Sequence, residues 1–99
     1  MEDMFYTQEE KHEGSFEIAN DKGLHTRPSA ELAKLAMTFS SNISLILDNQ
    51  KVNAKSLLEI LTLSATKGSV IKIEAVGKDS KQVIDELCQL ACKNFKMAY

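Results

Sequence analysis

The sequence predicts an α+β fold, an open-faced β-sandwich of βαββαβα order with a four-stranded antiparallel sheet and three helices on one face. Three observations lead there. Four short segments alternate apolar and polar residues with the period of a half-buried strand. Three others repeat apolar residues at the three-to-four spacing of a helix. The 99 residues, 43% of them hydrophobic, suffice for one small core and fall short of two.

The first strand is read over residues 14–19, where Phe16 and Ile18 share one face and Ser15 and Glu17 the other. Before it, MEDMFYTQEEKHE holds five acids and no clear period. Residues 1–13 are therefore read as a flexible extension to a single domain spanning 14–99, touching it, if at all, through Phe5 and Tyr6. Asn20-Asp21-Lys22-Gly23 is a loop by composition. Pro28 fits only the first turn of a helix, where its missing N–H costs nothing. Leu32, Ala33, Ala36 and Phe39 then carry a helix over 26–39, and Ser40-Ser41-Asn42 ends it. Ile43, Leu45 and Leu47 form a second strand, Asp48-Asn49-Gln50 a turn, and Val52 and Ala54 a third strand, so 43–55 is a hairpin. Ser56-Leu57-Leu58-Glu59 has the form of a capping box and opens a short helix to Leu63, broken by Lys67-Gly68. Ile71, Ile73 and Ala75 make the fourth strand, and Gly77 turns the chain. Asp79 is the expected cap of a last helix, with Gln82 three residues on and an apolar face of Val83, Ile84, Leu87, Cys88, Leu90 and Ala91.

Composition excludes several classes of function. A net charge of −2 argues against nucleic acid as a partner, which calls for an excess of Lys and Arg. No apolar run approaches the ~20 residues of a membrane span. The acidic start has no apolar signal region, and two cysteines cannot build a disulfide framework, so a reduced, cytoplasmic protein is expected. His12 has no ligand partners at useful spacing. Cys88 and Cys92 stand one helical turn apart without further ligands, and are read as buried structural thiols. No metal or cofactor is expected.

The rarest residues cluster. The only arginine, Arg27, the only proline, Pro28, and one of two histidines, His25, fall in Gly23-Leu24-His25-Thr26-Arg27-Pro28-Ser29-Ala30. This places a histidine where a loop becomes a helix. The first N–H groups of a helix lack internal partners and carry partial positive charge, so a phosphoryl group there meets ready donors. Thr26 and Arg27 are the candidate phosphate binders, the latter with a planar fork suited to phosphate oxygens. An imidazole nitrogen beside such donors is what a transient phosphohistidine needs. Gly23 lets the loop adopt the backbone angle that lays the ring over the helix end.

The string GLHTRPSAELAKLA resembles the active-site segment of HPr, the histidine-containing phosphocarrier of the bacterial phosphoenolpyruvate:sugar phosphotransferase system (PTS). The resemblance runs over about residues 13–95 and continues at AKSLLEILTL and TKGSVIKIEAVG. It implies a stoichiometric phosphoryl carrier rather than an enzyme, with the same βαββαβα fold. His25 would take a phosphoryl group on Nδ1 from enzyme I and pass it to an enzyme IIA protein or domain, with Arg27 supporting the group. Ala30, Lys34, Leu57 and Leu58 match positions that dock these partners. Leu61 joins them on sequence grounds, because the short helix has more leucines than one buried stripe needs, and some are expected to be exposed beside His25. Ser56 matches the serine that an HPr kinase modifies in many bacteria, where phosphate would bring negative charge to the docking face. A monomer is expected.

Departures from the usual pattern limit the match. Lys22 stands where small polar residues are usual, Glu59 and Met37 make the rim less basic, and Ser64 replaces a frequent glycine. LTLSATKG is similar to the nitrogen-related branch, NPr, which relays phosphate without transporting sugar. A Ser56-phosphorylated binding module with no relay is the alternative of a different class.

Overall fold

The computed structural model describes residues 10–96. The order is β1 (Lys11–Glu17), α1 (Thr26–Ala36), β2 (Asn42–Leu47), β3 (Gln50–Asn53), α2 (Leu57–Thr62), β4 (Val70–Val76) and α3 (Ser80–Cys92), followed by a 3-10 turn, Asn94–Lys96. The strands lie in the order β1-β4-β2-β3, every neighbour antiparallel. This is the expected α+β open-faced sandwich.

Alternation decides which way each strand faces. Phe16, Ile43, Leu45, Val52, Ile71, Ile73 and Ala75 are buried beneath Leu32, Ala33 and Ala36 of α1 and Val83, Leu87 and Leu90 of α3. The opposite face carries charge. Lys51 pairs with Glu74 at 3.0 Å and Lys72 with Glu13 at 3.6 Å, so the uncovered side of the sheet is solvated rather than apolar. No helix among the described residues is long and apolar enough to cross a membrane.

The element boundaries differ from the sequence reading in informative ways. β1 begins at Lys11, not at 14, because 11–13 pair with 74–76 of β4. No alternation betrays these residues. His12 is polar on the covered side, where its Nδ1 lies 2.9 Å from Ser80 Oγ. Residues 1–9, with Phe5 and Tyr6, lie outside the described residues. α1 stops at Ala36, since Thr38 N and Phe39 N donate back only three residues, to Leu35 O and Ala36 O, and tighten the last turn. The hairpin turn is Asp48-Asn49 alone, both left-handed (φ 50° and 68°), the geometry that matches strand twist.

Two caps also differ. Ser56 Oγ accepts from Glu59 N at 3.2 Å, but the Glu59 carboxylate accepts from Asn53 N at 2.9 Å instead of closing the box on Ser56. Ser56 N is already bonded to Asn53 O. Asp79 sits at the N-cap of α3 without capping it. Its carboxylate accepts instead from Ser40 N (2.9 Å), Ser41 N (3.0 Å) and both serine hydroxyls. It thus pins the α1–β2 loop to the start of α3. Cys88 is half-buried and Cys92 exposed, so the reading of two buried thiols holds for neither in full. The apolar stripe of α3 runs through Val83, Leu87 and Leu90, and Cys92 falls beyond its edge. Burial pushes the Cys88 thiol above its ordinary range.

The Asp79 site has a pH signature. The Ser41 hydroxyl, then the Ser40 amide, hold its carboxyl down to about 2, below an ordinary 3.8. A lowered carboxyl stabilises the fold above the unfolded value and loses that contribution as pH falls through the folded one. Asp79→Asn is therefore expected to cost about 1–2 kcal/mol at neutral pH. The gap should close between pH 4 and 2, as read by urea titrations across that range. An unchanged gap at pH 2 would contradict this assignment.

Candidate functional site

His25 occupies the N-cap of α1 with extended backbone (φ −83°, ψ −167°), and its side chain makes no capping bond. Its carbonyl receives the first helical bond, from Ser29 N at 3.1 Å. The amides of Thr26 and Arg27 therefore have no partner within the helix, and Pro28 has no amide to leave open. Thr26 and Arg27 are exposed and the ring of His25 is half-buried. Pro28 and Ser29 are buried and anchor the helix start, Ser29 Oγ donating to Leu24 O at 3.1 Å.

The loop before His25 is held by a distant segment. Leu24 N donates to Ala65 O at 3.0 Å. Ile18 N donates to Ser69 O, and Gly68 N to Ile18 O. Lys67 Nζ meets Asp21 Oδ1 at 2.9 Å and holds that carboxyl below its ordinary value, by hydrogen bond first and charge second. Gly23 is left-handed (φ 69°) and backs onto Ala65 and Thr66. Nothing local in the sequence signals these partners, which stand more than 40 residues away.

α2 lies against α1 with its two ends set apart. Lys55, just before it, reaches Phe39 O at the far end of α1 (2.8 Å), while the chain beyond its last turn reaches Leu24. Leu58 is 76% exposed in its first turn, and Leu57 and Leu61 are half-buried. Ser56 shares that turn. Met37, at the end of α1, is 59% exposed. Ala30 is half-buried, and exposed Lys34 pairs with Glu31 at 3.7 Å. The structure thus joins His25, Thr26 and Arg27 in one cluster. It sets Ser56 and Leu58 toward the opposite end of α1. Grooves of about 430 and 230 Å³ run between α1 and α3 over Leu35 and Leu90, and neither includes a loop residue from 20–25. Among the described residues no three His, Cys, Asp or Glu side chains are grouped to hold a metal.

A half-buried histidine on a helix end suits a group handed between proteins, and comparison with known proteins agrees. A family model described as the PTS HPr component phosphorylation site matches residues 12–92. The chain belongs to the HPr family. It is 47% identical over 70 residues to the phosphocarrier protein HPr of Buchnera aphidicola subsp. Acyrthosiphon pisum, covering 71% of this chain and 82% of that one. Against HPr of Haemophilus influenzae the figures are 40% over 74 residues, 75% and 87%. The crystal structure of HPr-C-His from Thermoanaerobacter tengcongensis superposes with a TM-score of 0.84 at 40% identity, over 89% of this chain and 99% of that one. This HPr-family chain is a phosphocarrier of the phosphotransferase system, a carrier and not an enzyme. These relatives do not favour the nitrogen-related reading over the HPr one.

Proposed function

We propose that His25 is the residue that carries the phosphoryl group. The observation that supports it most is the N-cap position with a side chain unused for capping, beside two amides left open by the helix. Phospho-enzyme I presents the group, the imidazole nitrogen attacks phosphorus, and the bond to the donor breaks as the new P–N bond forms. The amides of Thr26 and Arg27, the helix dipole and the Arg27 guanidinium face the phosphoryl oxygens. An enzyme IIA then reverses the step. Because the site is open, one face docks both partners in turn, through Ala30, Lys34, Leu57, Leu58 and Leu61. The protein acts as a monomer in the cytoplasm. The test is incubation with radiolabelled phosphoenolpyruvate and enzyme I. Acid-labile, alkali-stable label at a single histidine supports the reading, and no label with an enzyme I active on a control HPr overturns it.

Arg27 serves the group and not the fold. An exposed arginine contributes little to stability. Arg27→Ala is expected to slow transfer by roughly 10- to 100-fold while melting within about 2 °C of the parent. Stopped-flow transfer and a thermal melt check the two halves. A large fall in melting temperature would show a structural role instead.

Ser56 is proposed as a regulatory site for an HPr kinase. Ser56 is half-buried in the same turn as Leu58, so a phosphate there adds charge to the apolar part of the docking face. Ser56→Asp is expected to raise KM for enzyme I by about 10-fold with little change in kcat. An unchanged KM would remove Ser56 from the docking face.

A further inference from the structure

We infer that Asn20 is a positioning residue for His25, bracing the loop from behind through the C-terminal turn; the inference rests on His25 as the phosphoryl-carrying residue. Asn20 is only 3% exposed. Its amide nitrogen donates to Asn94 Oδ1 over a long 3.4 Å. Among the described residues its buried amide oxygen finds no hydrogen-bond partner. A buried amide with one weak bond and one orphaned acceptor is unfavourable for the fold, and an apolar side chain would serve the core better. Residues that break a local rule in this way concentrate at functional sites.

The location gives the reason. The Asn20 carbonyl accepts from Gly23 N at 3.2 Å, so this residue opens the turn that delivers His25. The front of that turn rests on Ala65 and Thr66 through Gly23 and Leu24. Its back meets the chain end that follows α3. There Asn94 and Phe95 are both left-handed (φ 56° and 55°), an arrangement that folds the chain back on the domain. Phe95 is 1% exposed and stands edge-on to Phe16 with ring centroids 5.7 Å apart. The C-terminal turn is thus seated by an aromatic pair on the same strand that leads into the loop. The Asn20–Asn94 contact links two segments 74 residues apart and holds the turn on its second side.

A purely structural residue and a positioning one differ in readout. Asn20→Ala removes an ill-satisfied amide and is expected to melt at or above the parent temperature. Transfer from phospho-enzyme I is expected to lose about 10-fold in kcat, the scale of a small misplacement of the reacting atom. KM should change less than about twofold, because the docking face is untouched. Asn94→Ala should reproduce the loss, and the double variant should be no worse than either single one. Parent-like kcat in Asn20→Ala overturns the inference. So does a drop in melting temperature of more than about 5 °C with transfer lost in proportion to unfolding. The parent chain and His25→Ala run alongside. If the parent takes no label the carrier assignment of His25 fails, whereas parent labelling with an indifferent Asn20→Ala removes only the brace.

Discussion

His25→Ala is expected to take up no phosphoryl group, a loss of at least about 10³-fold, while melting within about 2 °C of the parent. The chemistry requires the ring nitrogen. Thr26 and Arg27, proposed to face the phosphoryl oxygens, offer no comparable nucleophile. The fold, in contrast, uses the backbone of His25. Its carbonyl closes the first helical bond with Ser29, and its side chain makes no capping bond. Replacing a residue that does not cap therefore removes little helix stability. The other histidine, His12, is an internal control. It faces Ser80 at the start of α3 and lies on β1, ahead of the loop. Label retained in His25→Ala would move the site elsewhere. Label lost together with a drop of more than about 10 °C would mean that unfolding, not chemistry, explains the result.

Gly23→Ala is the substitution expected to damage the fold most. Gly23 holds φ 69°, and a Cβ there would strike the Ala65 carbonyl oxygen and lie 2.9 Å from Thr66 Cα. The obstacle is backbone, so no side chain can swing away. The left-handed conformation costs an alanine roughly 1–2 kcal/mol. Crowding adds about 1–3 kcal/mol. The sum of about 2–5 kcal/mol is a large share of a small domain's stability, and corresponds to a fall in melting temperature of roughly 10–40 °C. The surviving folded protein must let the loop move off Ala65, carrying His25 with it. Transfer by that fraction, measured well below the new midpoint, is expected to fall by about 100-fold. A melt within 2 °C of the parent would contradict the close packing of the loop on Ala65.

How much of the site could be read in advance depended on separation along the chain. His25, Thr26 and Arg27 are consecutive, and Pro28 marks the helix start that gives them meaning. Local rules alone suffice to make that stretch a candidate anion site. The leucines proposed for docking were half legible. Helical spacing showed that α2 has a surplus of them, but only packing against α1 decided that Leu58 is exposed while Leu57 packs on the core. Asp79 shows the opposite case. As a helix-start aspartate it reads as a cap, yet Ser40 and Ser41 present two amides and two hydroxyls to its carboxylate. A fourfold partner outcompetes the amides at the start of its own helix. Glu59 likewise turns to Asn53 N, because Ser56 N, the donor of the local box, is already bonded to Asn53 O.

The sequence by itself determined the order of elements, the face each strand buries and the chemistry proposed for residues 25–27. Those follow from periods of two and 3.6 residues and from the needs of a helix terminus, which act over a few residues. Tertiary structure alone decided where β1 begins, what holds the His25 loop and how the chain end is used. Lys11 is in a strand only because Val76 stands opposite it. Gly23 has no room for a side chain because Ala65 lies against it, and Asn20 is buried because Phe95 seats the C-terminal turn beside it. These contacts join segments between 42 and 79 residues apart. They exist only after the sheet has closed, so no local pattern records them.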